Sequence, residues 1–239
     1  MTTNAADDLL FAVAPVPTVS ILNESGLFPV NRIFCVGRNY ADHAKEMGVE
    51  VDREAPFYFL KASSAIVHSG SAIAYPPGTS NYHYEMEFVV AIGAPAWHVP
   101  AARALDVVYG YASGLDMTRR DLQLDARAKG RPWDLGKNFE QSAVITPIVP
   151  KAKFGTIGPQ RISLAVDGVE KQSARLSDLI WSVEELISHL SRYYHLLPGD
   201  LIYTGTPAGV GPVVPGNLIT GQIDGLPSIS LSIAPAHAA

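Results

Sequence analysis

Six side chains have types and spacings that could do chemistry together: Glu85, Glu87, Asp116, the pair His43 and Glu46, and Lys137. In a strand, residues two apart point to the same side, about 7 Å from each other along the chain. Glu85 and Glu87 stand that way in Glu-Met-Glu-Phe-Val-Val-Ala-Ile-Gly, a run ending at Gly93 that is otherwise apolar. Carboxylates projecting from such a run cost free energy unless something offsets their charge. A hard divalent cation would do so, because Mg²⁺, Mn²⁺ and Ca²⁺ all prefer oxygen ligands. The competing reading is a strand face turned to water, on which alternation places acidic residues with no cation.

Asp116 ends a second extended run, Tyr109 to Met117, on the face that also carries Gly110, Ala112 and Gly114. Small residues let another strand or a ligand approach the backbone closely, and a third carboxylate there would complete a facial metal site. By itself Asp116 reads equally as a helix-entry residue just upstream of Thr118. His43 alone is a surface or satisfied core histidine. With Glu46 one turn later it becomes a base and its orienter, able to activate water. Lys137 lies between the aromatics Trp133 and Phe139, which could hold an ammonium near an anionic substrate; the plain alternative is an exposed lysine.

Elements must position these groups. Arg32 to Val36 has the apolar density of a buried strand, and Asn39 to Met47 has helix-forming composition with a Gly48 stop. Pro56 to Lys61 and Ala65 to His68 are short β-like runs, and Tyr75-Pro76-Pro77-Gly78 is a turn. Ala101 to Val108 follows Pro100 with helical composition. Thr118 is expected to cap a helix that Gly130 closes, and Ser182 with Glu185 forms a capping box ahead of Leu186, Ile187, Leu190, Tyr193 and Tyr194 at helical spacing, as far as Pro198. Leu201 to Thr204 is a strand running into Gly205-Thr206-Pro207-Ala208-Gly209-Val210-Gly211. That loop follows a strand but carries two prolines nearby, no Walker lysine and no following helix, so it is a tight turn and not a phosphate cradle. Many short strands without a βαβ rhythm predict a predominantly β architecture with peripheral helices, an α+β class. The expected organisation is a lead-in over 1–30, one catalytic domain over 31–232 and a fraying alanine-rich tail over 233–239.

Composition excludes several classes. Of the 239 residues, 47% are apolar and 17% charged, which is the balance of a folding domain and not of a disordered chain. A net charge of −5 gives no electrostatic attraction to nucleic acid or anionic membranes. The single cysteine, Cys35, sits in an apolar run and reads as a buried inert thiol. The amino terminus has neither the basic start nor the apolar core of a signal segment, so cytoplasmic residence is the expectation.

Several separated segments resemble the fumarylacetoacetate hydrolase family, most of all its bacterial fumarylpyruvate hydrolase and acylpyruvase branch. They are Phe34 to Met47, Pro56 to Ser64, Glu85-Met86-Glu87, Gly114 to Gln123, Gly130-Arg131-Pro132-Trp133, Lys137, and Tyr203 to Gly211. The resemblance implies a mixed β-sandwich roll, usually homodimeric, with one Mg²⁺ or Mn²⁺ on Glu85, Glu87 and Asp116. It also implies a water-activating pair at His43 and Glu46, an enolate-stabilising Lys137, and substrate contacts from Arg38, Arg120, Gln123 and Thr206. The expected reaction is hydrolysis of a carbon–carbon bond in an acylpyruvate, fumarylpyruvate first, as in aromatic-ring catabolism through gentisate. For the distal carboxylate of that substrate, Arg38, Arg53, Arg119 and Arg131 are candidates. Two other expectations stand beside it: a 2-oxo acid decarboxylase or tautomerase using the same site, and a non-catalytic small-acid binder. One departure is visible, since relatives commonly carry paired histidines where this chain has His83-Tyr84 before Glu85.

Overall fold

The structure is a computed structural model that describes residues 10–46 and 55–236. The expected helix stop at Gly48, the candidate Arg53, the first nine residues and the last three lie outside the described residues.

In chain order the elements are β1 (Thr18–Ser20), β2 (Leu27–Pro29), β3 (Ile33–Gly37), α1 (Ala41–Glu46), β4 (Phe57–Lys61), β5 (Ile66–His68), β6 (Ser71–Ala74), β7 (Tyr82–Tyr84) and β8 (Met86–Ile92). They continue with β9 (Val108–Asp116), β10 (Thr118–Arg119), α2 (Arg120–Ala128), α3 (Asp134–Lys137), β11 (Ala143–Ile145), β12 (Val149–Pro150) and α4 (Lys151–Phe154). The last are β13 (Arg161–Val166), β14 (Val169–Arg175), α5 (Val183–Leu190), β15 (Leu201–Tyr203), β16 (Gly211–Val213), β17 (Leu218–Ile223) and β18 (Ile229–Ala234). The principal sheet runs β4-β3-β15-β8-β9-β11-β5, with β12 also paired to β9. A second sheet runs β14-β13-β17-β18-β6, and a small one runs β10-β7-β16. The β15–β3, β11–β5 and β18–β6 pairs are parallel and the remaining ladders antiparallel, so this is the mixed, strand-rich roll expected.

β8 is buried at every position because it is flanked by β15 and β9 and covered on both faces, which is why its sequence is apolar without alternation. On one face Phe88, Val90, Tyr111 and Leu115 pack with Ile162, Ile219 and Leu231 of the second sheet and with Leu186 and Leu190 of α5. The other face carries a smaller cluster of Cys35, Val89, Ala112, Ala143 and Tyr203, joined by Val19 and Phe28 from the β1–β2 hairpin. Cys35 is fully buried there, as its apolar run requires, and burial pushes its thiol pKa up. No helix among the described residues is long and apolar enough to cross a membrane.

Three local expectations need correction. Residues 101–107 form a 3-10 helix and not an α-helix. The helix after Asp116 starts at Arg120, because Thr118 and Arg119 stay extended to pair with His83 and Tyr82, and Thr118 caps nothing. α5 begins with the expected box, Glu185 N donating to Ser182 Oγ at 3.3 Å and Ser182 N to Glu185 Oε2 at 3.0 Å, but ends at Leu190, well short of Pro198. Of the two approaches that the bare face of β9 leaves open, the structure shows that of neighbouring strands: a Cβ on Gly114 would lie 2.5 Å from Val89 Cγ2 and 2.6 Å from Tyr203 Cε1. Gly114→Ala should therefore destabilise the fold by about 1–3 kcal/mol through overpacking, measured by urea unfolding; an unchanged midpoint would show that Tyr203 can move aside.

Candidate active site

The register of β8 against β9 assembles the carboxylates. Glu87 is paired with Gly114 and Met86 with Leu115, and one step further Asp116 N donates to Glu85 O at 2.9 Å. Glu85, at the junction of β7 and β8, therefore faces Asp116 across the ladder, with Glu87 beside them on the same side. One oxygen from each of Glu85, Glu87 and Asp116 can be chosen so that all three lie within 4.8 Å of one another, and all three residues are buried.

Cations surround this acidic corner. Lys137, at the end of α3, is only 1% exposed and its Nζ donates to Glu85 Oε2, Asp116 Oδ2 and Thr118 Oγ1, each at 2.7 Å. Lys61, at the end of β4, places Nζ 2.8 Å from Asp116 Oδ1. Arg120, the first residue of α2, reaches Glu85 Oε1 and Gln123 Oε1. Glu87 has a poorer set of partners, with Oε2 accepting from Gly205 N at 2.7 Å. Gly205 adopts φ +100°, and a Cβ there would meet Asn39 Cβ at 2.8 Å, so only glycine brings this amide onto Glu87.

The electrostatics follow. Burial opposes the Glu85 carboxylate, but Lys137, Arg120 and His43 outweigh it and hold its pKa well below the usual carboxylate range. Glu87 is pushed well above that range by burial and then by repulsion from Asp116 and Glu85. Burial also works against the Lys137 ammonium, yet Asp116 and Glu85 hold its pKa above the ordinary lysine value. The residues fit a divalent cation on two counts. Asp116 Oδ1 is buried without an aligned hydrogen bond, since Lys61 is close but off the required angle. Among the described residues no cation forms an ion pair with the buried Glu87 carboxylate, and the donor set is all oxygen, which suits Mg²⁺ or Mn²⁺.

Across the cleft, α1 carries the pair. His43 Nδ1 lies 3.3 Å from Glu46 Oε2, and Gly209 N donates to the two oxygens of Glu46 at 3.2 and 3.1 Å. His43 is buried, and burial lowers its pKa although Glu85 and Glu46 oppose the shift. The imidazole is thus kept neutral and able to accept a proton.

One cleft brings together nearly every residue singled out from the sequence. Arg38, His43, Glu85, Glu87, Arg120, Gln123, Lys137 and Thr206 line it, with Asp116 reached through Lys137 and Glu46 through His43. Thr206 Oγ1 accepts from Gln172 Nε2 at 2.8 Å, and Gln172 Oε1 accepts from Met86 N at 3.0 Å, so the loop after β15 is tied to the strand that carries Glu87. His83 stands behind Arg120, its Nδ1 3.5 Å from Arg120 Nε and its Nε2 2.8 Å from Asn81 Oδ1, and burial and Arg120 push its pKa down to about 4. Lys61, Gln172 and the Gly205 amide were not anticipated. The signal for Lys61 is a charge closing the aromatic strand Phe57-Tyr58-Phe59-Leu60, a place that requires a buried acceptor.

This fold has known counterparts. The chain belongs to the fumarylacetoacetate hydrolase family, with residues 32–234 matching the fumarylacetoacetate hydrolase C-terminal domain. Fumarylpyruvate hydrolase of Ralstonia sp is 55% identical over 194 residues, covering 80% of this chain and all 100% of that protein. The crystal structure of fumarylpyruvate hydrolase from Pseudomonas aeruginosa in complex with Mn²⁺ and pyruvate superposes with a TM-score of 0.93 at 48% identity, covering 95% of this chain and 100% of that one. A mitochondrial oxaloacetate tautomerase of Homo sapiens is 43% identical over 201 residues, covering 84% of this chain and 90% of that protein.

Proposed function

We propose that this protein hydrolyses the carbon–carbon bond of an acylpyruvate, with fumarylpyruvate as its preferred substrate and fumarate and pyruvate as products. The observation that carries the reading is a buried carboxylate trio sharing one cleft with a neutral histidine already oriented by a glutamate. The fumarylpyruvate hydrolase relatives support it, and that substrate would fit a place in aromatic-ring degradation through gentisate.

Glu85, Glu87 and Asp116 would hold Mg²⁺ or Mn²⁺, which supplies Lewis-acid polarisation of the substrate's 2-oxo acid end and offsets negative charge developing there. Glu46 fixes the His43 ring through Nδ1, leaving Nε2 to take a proton from water. That water attacks the distal acyl carbonyl. Cleavage of the adjacent bond releases a carboxylic acid and leaves the electron pair on pyruvate as its enolate, close to the Lys137 ammonium. Gln123 and Thr206 contribute hydrogen-bonding groups to the cleft wall, and Gly209 N anchors Glu46, and with it α1, at the cleft. Homodimer formation belongs to the same reading, and the exposed side chains Trp97, Tyr193 and Leu197 offer an apolar face for it.

A second reading, oxaloacetate tautomerisation, is favoured by the tautomerase relatives. In it His43 would move a substrate proton without adding water. A product-resolved NMR assay with Mn²⁺ separates the two. Fumarate and pyruvate in equal amounts, lost on chelation and restored by Mn²⁺, is the expected result; an isomer of unchanged mass, or carbon dioxide from oxaloacetate with no cleavage of acylpyruvates, would overturn the hydrolase reading.

A further inference from the structure

Beyond the carboxylates the cleft is walled by aromatic rings. The Trp133 ring lies 6.0 Å from that of Phe59 and 5.3 Å from that of Phe57, the latter edge-on at 89°. A cation stands at each end of this wall: Lys137 Nζ is 5.0 Å from the Phe59 centroid, and the Arg38 guanidinium is 5.3 Å from the Phe57 centroid. Helix α2 supplies a second stretch of lining. Arg120, Gln123, Leu124 and Arg127 all border the cleft, and their spacing of three, four and seven residues puts them on one helical face. Arg120 and Arg127 are thus two turns apart, about 10 Å of axial rise. A seven-carbon chain spans roughly 8 Å between its end carbons by standard bond lengths. An anion with one carboxyl end at Lys137 and Arg120 would bring its other end to Arg38 and Arg127.

We propose that Arg38 and Arg127 form a distal anion subsite that selects acylpyruvates whose acyl group itself ends in a carboxylate, with the connecting carbons lying on the Phe57–Trp133–Phe59 wall. This rests on the acylpyruvate reading and narrows its substrate class. A planar guanidinium matches a carboxylate with two parallel hydrogen bonds, and both arginines are half-buried, where such a pair is less screened by water. The flat apolar wall suits an unsaturated linker, whereas an acetyl group would reach neither arginine. The other candidates fare less well. Arg119 stacks 4.1 Å over Phe139 and donates to Leu135 O at 3.3 Å, outside the cleft lining. Arg131 does not line the cleft; it is exposed and borders an adjoining hollow that shares Arg38, Phe57, Phe59 and Trp133 with it, which leaves its guanidinium open to screening by water.

Steady-state kinetics of the Mn²⁺-loaded protein with fumarylpyruvate and acetylpyruvate, together with calorimetric binding of fumarate and crotonate, tests the subsite. Crotonate has the same carbon skeleton as fumarate but a methyl group in place of the distal carboxylate. In Arg127→Gln and in Arg38→Gln the fumarylpyruvate-to-acetylpyruvate ratio of kcat/KM is expected to fall at least tenfold. The preference for fumarate over crotonate should fall with it, and Arg127→Lys should recover part of both. Parallel loss on both substrates, or an unchanged ratio, would overturn the proposal and make these arginines structural. If the wild-type protein cleaves neither acylpyruvate, the hydrolase reading fails, while the fumarate–crotonate comparison still decides the subsite.

Discussion

Glu87→Gln should lose at least about 10³-fold of metal-supported turnover and at the same time raise the melting temperature of the metal-free protein. The first effect follows from removing one of three oxygen ligands, since a bound cation contributes several kcal/mol of charge stabilisation and each 1.4 kcal/mol is about tenfold in rate. The second follows from the position of Glu87 between two other carboxylates, buried, with Gly205 N as its hydrogen-bond donor. Its folded pKa is raised above the unfolded value of about 4.3. Between those two values the native state binds the proton more tightly than the unfolded chain, so stability falls as pH rises through that window. Glu85 works in the opposite sense, its depressed pKa giving stability that is lost only as pH falls below the unfolded value. The windows do not overlap. Melting curves in chelator from about pH 5 to 8 should therefore slope downward for the wild type and flatten for Glu87→Gln, and Mn²⁺ should flatten the wild-type curve. A variant that melts lower than wild type in chelator would mean that Lys61 and Lys137 already neutralise Glu87.

His43→Ala is the other large effect. Loss of a positioned general base costs about 10²–10⁴-fold in rate, and because His43 is not among the clustered carboxylates, Mn²⁺ affinity measured by calorimetry should stay near the wild-type value. Burial places the His43 pKa below the ordinary histidine value, so the acid limb of the kcat/KM profile should fall below about pH 6.5. In the alanine variant that limb should vanish together with most of the rate. Lost Mn²⁺ affinity would instead make His43 a ligand, and an unchanged acid limb would assign the titration to another group.

Both experiments concern residues that the sequence singles out, and the reasons differ. Glu85 and Glu87 are legible because strand parity is local: two residues on, the side chain points the same way whatever the partner strand does. Placing Asp116 beside them takes the β8–β9 register, which depends on which backbone groups pair and leaves little trace in composition. The bare face of β9 is correctly read as a close approach, but the approaching group, the Tyr203 ring, belongs to β15, far along the chain. Thr118 shows the limit of local capping chemistry. A hydroxyl ahead of a helical run predicts a cap, yet here it is drawn into β10 and accepts from Lys137. Lys61 and Gln172 are legible only once the strands are assembled, because their partners lie 55 and 34 residues away in numbering, at Asp116 and Thr206.

The three carboxylates have one further consequence, for the order in which the protein meets its ligands. Lys61, Lys137 and Arg120 set three positive charges against them, so with all six groups ionised the corner is formally neutral. A doubly charged cation would leave it with a formal charge of +2, the complement of a substrate dianion. Long-range attraction of that dianion, to which Arg38 and Arg127 in the cleft lining already contribute, would thus be strengthened by the metal. The metal-free protein would hold the diacid by its distal end alone, and a favoured sequence of arrival, cation before diacid, follows from a count of charges with no moving part.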